Sequence, residues 1–222
     1  MKQITVLIVL LMVVAAESNS QNVNWRSLRE DQQNIVQFSF GYDYGATSQL
    51  GYSRSFTFIR PIVFGLDYSF PMGGNLLDDF KVKVGGQVEI VAFGGFSASA
   101  KIFSNFRRYQ TEMVRVVSFG SDFGVVAGYY GPSWYAAGEF GFDKAVTSQL
   151  IHSDIVRKFV FSEIRDGWYV PTGGNYYYGI QAGKTLGESL DLSVRLGATE
   201  AQRNDTDAVI PFYFQLGLGL TF

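Results

Sequence analysis

The feature that most constrains this chain is alternation with a period of two. In the last fourteen residues, Val209 to Phe222, one parity holds Ile210, Phe212, Phe214, Leu216, Leu218, Leu220 and Phe222. The other holds Pro211, Tyr213, Gln215, Gly217, Gly219 and Thr221. Successive side chains of a strand point to opposite faces, so one face is greasy and the other small or polar. The pattern recurs through most of the chain. Ile62, Phe64, Leu66, Tyr68 and Phe70 oppose Val63, Gly65, Asp67 and Ser69. Leu190, Leu192, Val194 and Leu196 oppose Asp191, Ser193, Arg195 and Gly197. The other strands are predicted at 36–44, 50–58, 80–90, 96–106, 113–125, 134–143 and 176–183.

About ten strands (eight to twelve) are thus expected. Their connections alternate between tight turns, such as Ile59–Arg60–Pro61, and longer polar loops, the longest from about Lys144 to Asn175. The first connection, Gly45 to Ser48, is short and breaks that rule. A single up-and-down antiparallel transmembrane β-barrel has this rhythm, with short turns on one side and long loops on the other. A soluble sheet protein buries its greasy face and exposes one rich in Lys, Glu and Thr. Here the polar face is Gly, Ser, Gln and isolated charges. The apolar face carries aromatics at strand ends: Tyr42, Tyr44, Phe56, Tyr68, Phe70, Phe142, Tyr176 and Phe222. Arg54 interrupts that face and is expected near an interface, where a long cation snorkels.

Composition agrees. The 222 residues suffice for one barrel-sized domain. Mean hydropathy is +0.07, too low for a bundle of membrane helices. Alternating faces cancel in such an average. A net charge of −2 argues against nucleic acid as a partner. With no Cys and one His, neither a disulfide framework nor a metal-ligand spacing is present, and no cofactor is expected.

Residues 1–20 read as a signal peptide: Lys2, an apolar run from Ile4 to Val14, then small residues at Ala15, Ala16, Ser18 and Ser20. Residues 21–34 read as a periplasmic lead-in or a short helix, with Asn24 as its cap and a plug at the barrel mouth as the sharper alternative. Residues 35–222 form the barrel.

Charges recur on the inward parity. The acids are Asp43, Asp67, Glu89, Asp122, Glu139, Asp143 and Asp191; the cations are Lys81, Lys83, Lys101 and Arg195. Read as pore lining, they tune ion selectivity. Read as structure, they are a polar network that satisfies itself and fills a narrow lumen. Eight strands leave room only for side chains and open channels appear near 16, so a mostly filled interior is expected. In the 144–175 loop, Val146, Leu150, Ile151, Ile155 and Phe159 have roughly helical spacing. His152, two residues before Asp154, and the Asp78–Asp79 pair lie in predicted outer loops. A base held by a carboxylate activates water, and the omptin proteases place such groups above a ten-stranded barrel. Loops are rich in Asp in any case.

The export signal, the repeated strands and the closing Leu218–Gly219–Leu220–Thr221–Phe222 resemble the small outer-membrane β-barrel proteins of Gram-negative bacteria. The segments Trp25 to Asp31 and Asp166 to Tyr169, with Thr172 to Asn175, are similar to those of uncharacterised barrels from Bacteroidetes-type bacteria. The resemblance implies an outer-membrane location and contact with outer-membrane lipid. It also implies insertion by the barrel-assembly machinery through a last-strand signal, here Phe214, Leu216, Leu218, Leu220 and Phe222. It supplies no catalytic motif. The expected function is a non-enzymatic structural or accessory barrel, in an outer-membrane complex or binding through its loops. A small porin-like channel is the alternative, and an omptin-like surface protease a further one.

Overall fold

The computed structural model describes residues 23–25, 28, 33–73, 77–159, 165–202 and 211–222. The signal-peptide reading of 1–20 lies outside them, as does most of the expected N-terminal helix. In chain order the strands are β1 (Asn34–Tyr42), β2 (Ala46–Thr57), β3 (Pro61–Pro71), β4 (Asp79–Phe93), β5 (Phe96–Gln110), β6 (Val114–Tyr130) and β7 (Trp134–His152). A short helix α1 (Asp154–Phe159) and a three-residue strand β8 (Gly167–Tyr169) follow. Then come β9 (Asn175–Leu186), β10 (Leu190–Ala201) and β11 (Phe212–Thr221).

Each strand pairs antiparallel with its neighbour, in the order β6-β5-β4-β3-β2-β1-β11-β10-β9-β7, and β7 returns to β6. Ten strands therefore close on themselves, and β8 caps the far part of β7. Closure between first and last strands is in full register, from Ile35 opposite Thr221 to Tyr42 opposite Phe214. A closed ring leaves no unpaired edge, which is the condition for a sheet to stand in hydrocarbon.

The parity expected from sequence decides which side chains are inside. On β3, Val63 is 0% exposed and its neighbour Phe64 is 53% exposed. On β5, Phe103 is 1% exposed and Ile102 is 57%. The exterior carries two aromatic belts. One runs Tyr68–Phe80–Phe106–Phe119–Trp168, with successive ring centroids 5.6, 5.7, 5.0 and 6.2 Å apart. It continues in the pairs Phe142–Tyr176 and Tyr42–Phe212. The other, near the end holding Asn34 and Phe222, includes Phe96, Tyr129 and Trp134. Phe96 and Phe106 lie ten residues apart on β5. At about 3.4 Å per residue and a tilt of about 40°, the belts are about 26 Å apart along the barrel axis. That matches the apolar band of a membrane barrel, about 25 Å tall. Arg54 lies outward, its guanidinium 5.6 Å over the Phe56 ring and within reach of Gln33 at 3.3 Å.

At the end bearing both termini of the barrel, the turns are tight. Gly94 and Gly95 make a two-residue turn between Phe93 and Phe96, with φ of 58° and 94°. Positive φ at both central positions is what such a hairpin needs. The opposite end carries the longer connections, and is called here the loop end.

Three expectations need correction. The segment Lys144 to His152 is not loop; it extends β7 against β6 as far as His152 opposite Val114. Val146, Leu150 and Ile151 are therefore strand residues, and only Asp154–Phe159 is helical. Val146 is the extra residue of a β-bulge opposite Phe119 and Gly120. A bulge shifts the parity by one, so Asp143 below it and Ser148 above it both face inward. The period-two signal fails at that residue. Second, the connection after β5 is a tight turn of Thr111, Glu112 and Met113, so loop lengths at the loop end are mixed. Third, Tyr44 does not join the exterior belt. It follows the end of β1 and turns inward beneath Arg107, whose guanidinium is 4.3 Å from its ring.

Candidate functional site

The lumen has three levels. At the terminal end it is packed with apolar groups. Val23, Trp25 and the part-buried Leu28, from before β1, join Ile35, Val63, Val126, Tyr130, Tyr135 and Ala137 in one cluster. Tyr130 and Tyr135 stack with centroids 5.5 Å apart. The amide nitrogen of Asn24 donates to Thr185 Oγ1 at 3.2 Å, and Thr185 donates to Asp191 Oδ1 at 2.5 Å. Val23, Asn24, Trp25 and Leu28 therefore pack into this mouth of the barrel, in the place that the plug alternative expects. Beside Trp25 a recess of about 250 Å³ remains. Around the cluster, Ser97 donates to Glu89 at 2.6 Å and Gln87 to Ser99 at 2.6 Å.

The middle level is a layer of buried charge. Glu139 of β7 takes Lys101 of β5 at 2.9 Å on one oxygen. Its other oxygen takes Arg195 Nε of β10 at 2.5 Å and the Tyr213 hydroxyl of β11 at 2.8 Å. Asp122 takes Lys83 at 2.7 Å and the Tyr177 hydroxyl at 2.7 Å. Arg195 also donates to Gln215 at 3.3 Å, Gln215 to Gln49 at 3.2 Å, and Ser39 to Gln49 at 3.4 Å. Each bond joins strands no more than three places apart in the ring, and together they link β5, β7, β10, β11, β2 and β1 in one continuous layer. The Arg195 guanidinium lies 4.4 Å over the Tyr213 ring, and Lys101 Nζ 5.0 Å from the Tyr177 ring centre. Buried charges are tolerable only when paired and hydrogen-bonded in this way.

The tyrosines reach across because the facing strands carry glycine. A Cβ at Gly124 would stand 2.6 Å from Lys101 Cε and 2.8 Å from the Tyr177 hydroxyl. A Cβ at Gly197 would stand 2.5 Å from Tyr213 Cζ. In a strand, glycine often marks such a close approach.

Above this layer the lumen opens at the loop end into a vestibule of about 960 Å³. Lys81 lies between two carboxylates there, 3.2 Å from Asp143 and 3.9 Å from Asp43. Asn105 donates to Asp143 at 2.8 Å. Arg107 is held between the rings of Tyr44 and Tyr109, and its guanidinium is 3.6 Å from Asp79. Pro171 to Asn175 forms part of the rim.

All eleven charged residues expected in the lumen are there. Nine sit in the bonds just described, namely Asp43, Lys81, Lys83, Glu89, Lys101, Asp122, Glu139, Asp143 and Arg195, and Asp191 joins the plug through Thr185. Asp67 is fully buried opposite Lys83. Sequence reasoning passed over Tyr44 and Arg107 as lumen residues, and gave Tyr177 and Tyr213 no role. The signal for Tyr177 and Tyr213 was tyrosine on the polar parity, facing glycines of the adjacent strands. The residues of the last-strand signal, Phe214, Leu216, Leu218, Leu220 and Phe222, all lie on the outward face.

His152 does not pair with Asp154. Its backbone N–H and ring Nδ1 reach Asp166 Oδ1 at 2.9 and 3.0 Å, and Arg157 binds the other oxygen. These bonds, the backbone one first, hold the Asp166 carboxyl below its usual range. Asp166 thereby ties the end of β7 to α1 and β8. Asp79 is engaged by Arg107. Among the described residues, no three acidic or His side chains gather as metal ligands.

No protein-family model and no curated protein matches this chain. Among solved structures, the β domain of the Bordetella autotransporter BrkA is similar at 14% identity and a TM-score of 0.41, over 86% of this chain and 99% of that one. The ten-stranded closure described above rests on the strand pairing, and that overlap adds nothing about function.

Proposed function

We propose that this chain is an outer-membrane β-barrel protein whose lumen is closed, and that it acts without catalysis through its outer mouth. The apolar exterior between two aromatic belts supports placement in a bilayer. The tight turns and the termini at one end support a periplasmic orientation for that end. The vestibule then faces the outside of the cell. Insertion by the barrel-assembly machinery through the last-strand signal, and kinship with Bacteroidetes-type barrels, belong to the same proposal. So does a role as an accessory subunit in an outer-membrane complex.

The single observation that carries the closed lumen is the Lys101–Glu139–Arg195 bridge, with Tyr213 on the same carboxylate. It links β5, β7, β10 and β11 in one buried layer, and the apolar plug lies beneath it. An ion crossing the barrel must break both. Planar-bilayer recording of the purified protein tests this: silence is expected, and stepwise single-channel currents would refute it. The porin-like reading retains one observation, the vestibule that penetrates from the loop end to the charge layer. The protease reading would need peptide cleavage that disappears in His152→Ala.

A further inference from the structure

We infer that the vestibule binds a neutral oligosaccharide. This deepens the proposed function, and rests on its reading that the loop end faces outward. The cavity, about 960 Å³, lies within the range of small-molecule sites.

Charge decides first. Among the described residues four cations and four acids line the vestibule, a formal charge of 4 − 4 = 0. Each cation already has an acid within 4 Å. Lys81 has Asp143 and Asp43, and Lys83 has Asp122. Arg107 has Asp79, and Arg195 has Glu139 from the layer below. An entering ion would shed its hydration shell and meet charges that are already paired. A hydroxyl group does better, because it both donates and accepts. It can donate to Asp43 or Asp143, whose side chains are 34% and 30% exposed, without displacing Lys81.

Shape and apolar surface decide next. Tyr109 is 39% exposed at the rim and pairs across the strands with Val116. Pro171 also lines the opening. A flat ring beside two small apolar groups suits the C–H face of a pyranose, whose weakly positive hydrogens meet the negative face of the ring. The charged side chains along the remaining walls disfavour an acyl chain. Polar groups held rigid by their own ion pairs, beside one aromatic platform, fit a polyhydroxyl ligand better than a lipid, a peptide or an ion.

The test uses the full chain in an amine-oxide detergent, because a sugar-headed detergent would compete. Maltotetraose, cellotetraose and tetra-N-acetylchitotetraose are titrated by calorimetry and by saturation-transfer NMR. Trigalacturonate and tetralysine serve as charged probes. At least one neutral tetrasaccharide should bind about tenfold more tightly than either charged probe. Tyr109→Ala should weaken it about tenfold and Tyr109→Phe should restore it, while Asp143→Asn should weaken it about fivefold. Unchanged heat-modifiable migration on a gel shows that each variant is folded. The inference is overturned if none of the three sugars binds, if a charged probe binds as tightly, or if Tyr109→Ala changes nothing. Channel currents would sink the closed-lumen reading and leave this titration standing; a silent barrel that ignores all three sugars sinks this inference alone.

Discussion

The two halves of the lumen are built from the same ten strands on the same parity, yet one is packed and the other open. At the terminal end the inward positions hold Val63, Val126, Tyr130 and Tyr135, and Trp25 from outside the sheet completes the cluster. At the loop end the inward positions hold Asp43, Lys81, Asp143 and Arg107, which form ion pairs around an open space of about 960 Å³ instead of filling it. Alternation fixes which side chains point in; it does not fix whether they meet. That depends on their size, on the glycines opposite them, and on a segment that lies beyond the alternating pattern.

The sharpest way to separate the halves is to remove an acid from each depth. Glu139→Ala strands Lys101 and Arg195, both buried, without their shared carboxylate. It should cost about 3–5 kcal/mol in urea unfolding followed by gel migration. A loss below about 1 kcal/mol would mean that water reaches the middle layer. Trp25→Ala should cost less, about 1.5–3 kcal/mol, because it removes apolar contact and leaves no buried charge unpaired. In a chain carrying Trp134→Phe and Trp168→Phe, the fluorescence of Trp25 should show a buried maximum. Tyr177→Phe removes only the hydroxyl that Asp122 accepts and should cost about 1.5 kcal/mol. Asp43→Asn at the loop end breaks a 3.9 Å contact between partly exposed groups and should cost under about 1 kcal/mol.

The smallest effect concerns the loop tie. Asp166 has its carboxyl held low by His152 and Arg157, so its bonds stabilise the loop fully above the ordinary Asp value of about 4. They are lost only as pH falls through the lower folded value. The His152 amide proton should therefore titrate with a midpoint below about 4, and Arg157→Ala should raise that midpoint. A midpoint at or above the ordinary value would mean that the tie does not form.

Much of this was legible in the residues. Phe38, Phe64, Ile102 and Leu218 announce the outer face, and all eleven lumen charges fall on the parity that points inward. The extra Val146 was not legible, because a bulge breaks the period that locates strands, and the end of β7 looked like loop. Nor was the partner of His152. Asp154 is nearer in sequence, but Asp166 is brought close by the turn through α1 into β8. The plug was only half legible: Trp25 and Leu28 stand out in a polar stretch, but nothing local says that they enter the bore. Pairings within the charge layer, such as Glu139 with both Lys101 and Arg195, join residues 38 and 56 apart and follow from the register of several strands, which no local pattern gives.

Because the chain has no cysteine, a single one reports unambiguously on its own site. Ser193 and Thr199 lie on the same inward parity of β10, one in the packed half and one lining the vestibule. The most direct measurement is the rate at which a charged, water-soluble maleimide labels Ser193→Cys and Thr199→Cys in intact vesicles. A lumen sealed beneath an open vestibule predicts rapid labelling at 199 and almost none at 193. Equal rates at the two positions would contradict it.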